Sequence, residues 1–398
     1  AQHRQGAPLA RHFMLLCWLA LALAFLSKGL VALVLPGMTL VGYSVWKRDW
    51  RLWRRLELGW GLLLFLVVTT PWLLAVSARN PGFLHFFFVH EHFQRFLSEV
   101  HERVEPWWYF LPVLLLGMLP WLFAALRVMV SPPTARIEAG EGRPLRAFLW
   151  LWIVITFAFF SLSGSKLPSY ILPLFPALAL LVGDGLSQDD SRGWRSAALL
   201  SLMAGLALIG LGWGGPFWGK GVTEEMIFAF APWLFAAAFI LLGGGGGLWW
   251  WCARADAGQL AVPALAAVWL LAGQLLMTGL QALAPAYSSG PLVRQLDPGI
   301  REAARTAPFY SVAMYQQSLP FYLDRTLRLV GFRCELEYGI EREPWLWIQD
   351  VPTFIRLWER ESRAFAVMPT KLFQQLEQEK VAMRQVASDS RRVIVTNP

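Results

Sequence analysis

The run Arg79–Tyr109, RNPGFLHFFFVHEHFQRFLSEVHERVEPWWY, gathers reactive residue types in a chain that is otherwise mostly apolar. It holds His85, His90, Glu91, His92, Arg95, Glu99, His101, Glu102 and Arg103 beside a series of aromatics, with four of the six histidines in the chain. An ionisable cluster between two apolar segments costs free energy unless water or a ligand reaches it, so chemistry is sought here first. The guanidinium of Arg95 can take a phosphate through two parallel N–H donors. Its bland alternative is a pair with Glu91 or Glu99 on the same helix, worth about 0.2–0.5 kcal/mol. Histidine beside carboxylate, as in His90-Glu91-His92, suits a divalent metal, zinc above all; a lone interfacial histidine is usually filler. On an ideal helix His90 and His92 point in nearly opposite directions, so at most one of them joins Arg95.

Two lysine turns offer related chemistry. Lys28, in LSKGL, and Lys166 with Tyr170, in SGSKLPSYILP, each stand between apolar helices. An ammonium meets phosphate as a point charge, and a phenol can donate a hydrogen bond to a phosphate oxygen. Two positive turns on one side can enclose one anion. The bland alternatives are snorkelling lysines and a tyrosine of the aromatic belt. Glu224 and Glu225 read as solvated charges, and Asp184 as a helix-end or headgroup contact.

The elements that position these groups are membrane helices. Charged residues make up 16% of the chain and hydrophobic residues 56%, whereas a soluble domain carries about a quarter charged. The 22 tryptophans agree with two headgroup belts. The net charge of +8 resides in short loops, which points to topology and anionic lipid rather than nucleic acid. Cys17, Cys252 and Cys334 are far apart and have no metal or disulfide spacing. The opening AQHRQGAPLARH has neither Met nor a signal-peptide arrangement and reads as a loop entered midway.

A bilayer crossing needs about 20 apolar residues. Spans are expected near 12–27, 30–46, 57–77, 108–130, 147–163, 170–186, 196–213, 230–251 and 260–284, about nine in all. The loop Lys47–Arg55 carries five basic residues against Asp49 and marks the cytoplasmic side. The basic loops 131–146, 187–195 and 252–258 fall on that side too. Lys28, the 79–107 loop and Lys166 then fall on the other. In that loop Phe86, Val89, Phe93, Phe96, Leu97 and Val100 follow helical spacing, which predicts an amphipathic helix lying in the interface. Pro36, Pro71, Pro112, Pro120, Pro173 and Pro176 predict kinked, internally packed helices. The Gly243–Gly247 run either admits a close helix or weakens its own.

The transmembrane domain is taken as 1–284 and a second domain as 285–398. In the latter, FYSVAMYQ, TLRLVGF, RAFAVMP, VAMRQVA and RRVIVTN read as strands, with VPTFIRLWERE and PTKLFQQLEQEK as helices between them. That order predicts a small α/β domain with a mainly parallel sheet. It has no GxGxxG or GxxxxGK sequence, so no nucleotide is assigned.

Three segments together resemble the GT-C membrane glycosyltransferases. They are FLSKG before an apolar span, EHFQRF after a histidine-bearing run, and PWWYFLPVLLLGMLPW followed by SGSKLPSYILPLFPALALL. Within that class the similarity is greatest to the aminoarabinose transferases that modify lipid A, relatives of protein O-mannosyltransferases. It is strong over 12–186 and is one of layout beyond.

The resemblance implies a mainly α, polytopic bundle followed by a periplasmic α/β domain, in a bacterial inner membrane. It implies inverting transfer of a sugar, 4-amino-4-deoxy-L-arabinose, from a polyprenyl (undecaprenyl) phosphate donor to phosphate groups of lipid A, giving resistance to polymyxin and other cationic peptides. Lys28, Arg95 and Tyr170 would hold the carrier phosphate, with Lys166 assisting, and one of His90 and His92 would bind a divalent metal, zinc first. The protein would act as a monomer. At one point the chain departs from the family. No acidic outer loop precedes Lys28, so the catalytic carboxylate is expected N-terminal to Ala1, and the chain reads as the C-terminal part of a larger bundle. Two alternatives stay open: a related polyprenyl-phosphate-sugar transferase acting on protein or another lipid, and a lipid transporter or flippase. Transporters place ionisable groups near mid-membrane, whereas these lie in outer turns.

Overall fold

The computed structural model describes residues 7–89, 105–130, 143–187, 192–213, 222–254, 260–333 and 336–397. The chain divides into two compact units, Ala1–Ala197 and Ala198–Pro398.

The first unit is helical. It comprises α1 (Ala7–Lys28), α2 (Val31–Lys47), α3 (Leu58–Arg79), α4 (Phe110–Gly117), α5 (Leu122–Val130), α6 (Arg143–Leu162), α7 (Phe175–Ser187) and the start of α8 (Arg192–Gly212). The second unit continues with α8, α9 (Glu224–Arg254) and α10 (Ala261–Gly279). Seven helices among the described residues are long and apolar enough to cross a membrane, and between 11% and 39% of each crossing window is buried. The remaining apolar surface is what lipid would cover.

Two of the expected spans take another form. The second is a helix of 17 residues. The fourth breaks into α4 and α5 across 118–121, where Pro120 can offer no N–H to a helix ladder. Of the predicted interfacial helix, 83–89 is described and helical, with a wider turn over 86–89. The rest lies outside the described residues.

Small residues let helices approach. A Cβ on Gly61 would lie 2.0 Å from Nε1 of Trp18, whose indole N–H donates to Leu56 O at 2.8 Å. Two glycines of the Gly243–Gly247 run work the same way. A Cβ on Gly244 would meet Val268 of α10 at 2.4 Å, and one on Gly245 would meet Ala198 O and Ser201 Cβ of α8 at 3.0 Å. Of the two readings of this run, close approach holds at Gly244 and Gly245.

The α/β domain has helices α11 (Pro298–Thr306), α12 (Ser318–Leu323), α13 (Val351–Trp358) and α14 (Thr370–Gln378). Its strands are β1 (Phe309–Val312), β2 (Arg328–Val330), β3 (Trp347–Ile348), β4 (Phe365–Pro369), β5 (Arg384–Ser388) and β6 (Arg392–Thr396). The sheet order is β3-β2-β1-β4-β6-β5. β1 to β4 pair in parallel and β6 pairs antiparallel with β4 and β5. Both faces are covered, so β4 reads as a continuous apolar run: Phe365 and Val367 enter one core, Ala366 and Met368 the other.

A buried polar knot closes this domain onto the segment that follows the last membrane helix. The Arg392 side chain, 1% exposed, donates from Nε to Asp389 at 2.8 Å and from Nη1 to Gln316 at 2.7 Å. It also donates to the Ser289 hydroxyl at 3.1 Å and the Ser288 carbonyl at 3.0 Å.

Candidate lipid-phosphate site

Lys28 is the last residue of α1. Gly29 follows with φ 77, the left-handed geometry that ends a helix and that glycine adopts without Cβ strain. Its N–H returns to Phe25 O at 2.7 Å. A cation at this end also faces the negative pole of the helix dipole. Lys28 is therefore held at a fixed point by backbone chemistry while its side chain stays exposed.

Tyr170 comes from the turn after α6. Leu167 is extended, Pro168 opens a 3₁₀ segment (Pro168–Leu174), and the Tyr170 N–H bonds to Leu167 O at 3.0 Å. Its ring lies 5.3 Å from that of Phe160, which lies 6.5 Å from the buried Phe110 of α4. This aromatic wall fixes the phenol against rotation. The Lys28 ammonium then sits 5.6 Å from the centre of the Tyr170 ring. Among the described residues neither the ammonium of Lys28 nor the hydroxyl of Tyr170 has a hydrogen-bond partner, so the pair presents unused donors.

Lys166 lies in the same turn but is turned inward. It is 6% exposed and donates to Ser163 O at 2.7 Å, just beyond the C-terminus of α6. The Ser163 hydroxyl bonds to Ser165 O at 3.2 Å. The Ser165 hydroxyl is buried without a partner among the described residues. Lys166 makes this one side-chain hydrogen bond among the described residues, and an ammonium can donate three.

The structure thus brings Lys28 and Tyr170 together and sets Lys166 in the same turn as the phenol. Arg95, His90 and His92 lie outside the described residues. Among the described residues no group of three or more His, Cys, Asp or Glu side chains is placed to hold a metal. Two features escaped the sequence reading. The Phe160 wall is hidden in the run ITFAFFSL, where Phe157, Phe159 and Phe160 are alike in type. Arg146 is 8% exposed and faces Asp184 at 3.9 Å, so two residues assigned to a loop and a headgroup form an ion pair between α6 and α7.

A polytopic bundle with a cation–phenol pair between helix ends, followed by a small mixed α/β domain, defines a membrane protein of the GT-C type. Residues 292–397 match the aminoarabinose transferase C-terminal domain. Over 98% of its length the chain superposes on ArnT from Cupriavidus metallidurans solved with undecaprenyl phosphate, covering 69% of that chain at a TM-score of 0.83 and 34% identity. The apo state of the same protein aligns with TM-score 0.83 and 32% identity. The chain belongs to the aminoarabinose transferase (ArnT) family. The undecaprenyl phosphate-alpha-4-amino-4-deoxy-L-arabinose arabinosyl transferase of Pseudomonas paraeruginosa is 42% identical over 215 residues, 51% of this chain and 37% of that protein. The protein of the same name from Shewanella sediminis is 38% identical over 185 residues, 45% of this chain and 32% of that protein. The chain is therefore matched to about a third of the length of these curated relatives.

Proposed function

We propose that this protein transfers 4-amino-4-deoxy-L-arabinose from undecaprenyl phosphate to phosphate groups of lipid A, on the periplasmic face of the bacterial inner membrane. The observation that carries this reading is the Lys28–Tyr170 pair, two donors without a hydrogen-bond partner among the described residues, in a chain that aligns with an ArnT solved with undecaprenyl phosphate. The distribution of the basic loops supports a non-cytoplasmic position for these ends and for the α/β domain.

In the reaction an oxygen of the acceptor phosphate attacks C1 of the sugar while the bond from C1 to the carrier phosphate oxygen breaks, with inversion. The leaving group is an anionic lipid phosphate. Lys28 and Tyr170 donate to it, Arg95 adds a bidentate guanidinium, and Lys166 supplies a second ammonium from the Tyr170 turn. Donors aimed at developing charge count for more at a low-dielectric membrane edge than in water. The acceptor phosphate is already anionic and needs little base assistance, so the site chiefly orients the two lipids and stabilises the departing phosphate. A divalent metal, zinc first, belongs to the same reading at His90 or His92. The protein acts as a monomer.

The test uses the whole protein in liposomes with carrier-linked aminoarabinose, with and without lipid A, followed by mass analysis of both lipids. Transfer to lipid A that collapses in Arg95→Ala, with membrane insertion intact, is the expected outcome. Unchanged transfer in that variant removes Arg95 from the site. Transfer to protein, or movement of the carrier lipid without transfer, replaces the proposal.

A further inference from the structure

The last apolar span, Ala261–Tyr287, ends where the α/β domain begins. The short helix α12 is fastened at that end. The Ser289 N–H donates to the Ser318 hydroxyl at 2.9 Å, and that hydroxyl lies 3.1 Å from the Ser289 hydroxyl. The Tyr322 hydroxyl lies 3.3 Å from that of Ser288, and its ring packs on Gly290, where an added Cβ would come within 2.7 Å. From this anchored helix Phe321 projects with 79% of its surface exposed, its ring edge-on to Tyr322 at 5.3 Å. Tyr287, the final residue of the span and the neighbour of Ser288 in the chain, is 61% exposed and carries the Arg391 guanidinium 5.7 Å from its ring centre.

We propose that α12 is a membrane foot: Phe321 and Tyr322, with Tyr287 and Arg391, seat the α/β domain in the headgroup layer of the bilayer. Three observations select lipid as the occupant. First, the patch is continuous with a membrane span. Tyr322 touches the residue next to the end of that span, while the headgroup layer extends about 5–7 Å beyond the hydrocarbon on each side. Second, the composition is that of an interfacial belt, with aromatic rings for the glycerol and upper acyl region and a guanidinium for lipid phosphate. Third, the foot is rigid. Arg392 is bonded to the Ser288 carbonyl and the Ser289 hydroxyl, so the domain holds a fixed register at the end of the span. The foot fixes which edge of the domain faces the membrane, and it rests on the spans rather than on the transfer reaction.

The test uses the full chain in nanodiscs of mixed zwitterionic and anionic lipid. Cys17, Cys252 and Cys334 are replaced by serine and a nitroxide is attached at Phe321→Cys. Trp345→Cys is the comparison, because Trp345 is an exposed aromatic of the same domain (65% exposed), two residues before β3, the sheet edge opposite to β5. Both side chains are largely exposed, so neither change should disturb folding. The foot requires that the ratio of oxygen to nickel-chelate accessibility be several-fold higher at Phe321 than at Trp345. Equal access of the aqueous chelate at both positions overturns the proposal. Low access of both reagents at Phe321 also overturns it, since protein rather than lipid would then cover the site. Lipid contact at both positions overturns its restriction to α12.

Discussion

The Lys28 ammonium stands 5.6 Å from the centre of the Tyr170 ring and joins the end of α1 to the turn after α6. The contact leaves the ammonium donors available to an anion. Lys28→Met removes a charge-assisted hydrogen bond worth about 1.5–3 kcal/mol. Affinity for undecaprenyl phosphate should fall about 10- to 150-fold, measured by titrating the reconstituted protein. Lys28→Arg should recover most of it. Binding within twofold of the parent in Lys28→Met would exclude Lys28 from the phosphate site.

Tyr170 separates ring from hydroxyl. Tyr170→Phe keeps the packing on Phe160 and the cation–π contact, and loses one neutral hydrogen bond, about 0.5–1.5 kcal/mol. Binding should weaken about 2- to 12-fold with an unchanged melting temperature. Tyr170→Leu should lower both. A Tyr170→Phe protein that binds like the parent would show that the hydroxyl makes no contact with phosphate.

Lys166 should behave differently from Lys28, because its ammonium is buried against Ser163 O. Lys166→Met leaves that carbonyl without its donor, a cost of about 1–3 kcal/mol. Thermal scans in detergent should show a clearly lowered midpoint for Lys166→Met and a smaller change for Lys28→Met, which loses only an exposed helix-end and cation–π contact. Equal midpoints would mean that the bond to Ser163 adds nothing to the fold.

The glycine run in α9 gives a contrast within one helix. A Cβ on Gly244 would collide with Val268, whereas Gly243, Gly246 and Gly247 have nothing within 4 Å of the Cβ position. Gly244→Ala should destabilise the bundle by about 1–3 kcal/mol, the range for overpacking. Gly246→Ala should be neutral or stabilising by up to about 1 kcal/mol through helix propensity. Equal effects at the two positions would contradict the packing of α9 against α10.

Much of this was legible in the residues. Apolar runs of crossing length marked the spans, and the short β-branched runs flanked by amphipathic segments pointed to a mainly parallel sheet, though not to the antiparallel pairing of β6 with β4 and β5. β3 was not legible, because two residues, Trp347 and Ile348, carry no period. The break at Pro120 was visible as a proline but not as the end of a helix. Lys28 and Tyr170 could be singled out by type and side. Their meeting could not, since it depends on Phe160 and Phe110, indistinguishable in sequence from their apolar neighbours. The inward turn of Lys166 depends on a backbone carbonyl, which no residue type announces. Arg392 was likewise invisible, one arginine of RRVIVTN set to become, among the described residues, the least exposed charge in the domain.

That arginine carries the last prediction. Burial pushes the Asp389 carboxyl up, but the Arg392 side chain and the N–H groups of Arg391 and Arg392 outweigh it and hold the carboxyl below the ordinary aspartate range. A depressed carboxylate contributes stability that is fully present above its unfolded pKa of about 3.9 and lost as pH falls through the folded value. From pH 7 to 5 the margin of the parent over Asp389→Asn should therefore be constant, and below about pH 4 it should shrink. Arg392→Met breaks the pair and takes a donor from Gln316, the Ser289 hydroxyl and Ser288 O. Its cost should be near the lower end of the range for broken buried pairs, about 3 kcal/mol, because Asp389 keeps its backbone donors and some contact with water. Calorimetry of both variants across pH checks this. A parent margin over Asp389→Asn that grows on acidification would reverse the sign assigned to Asp389.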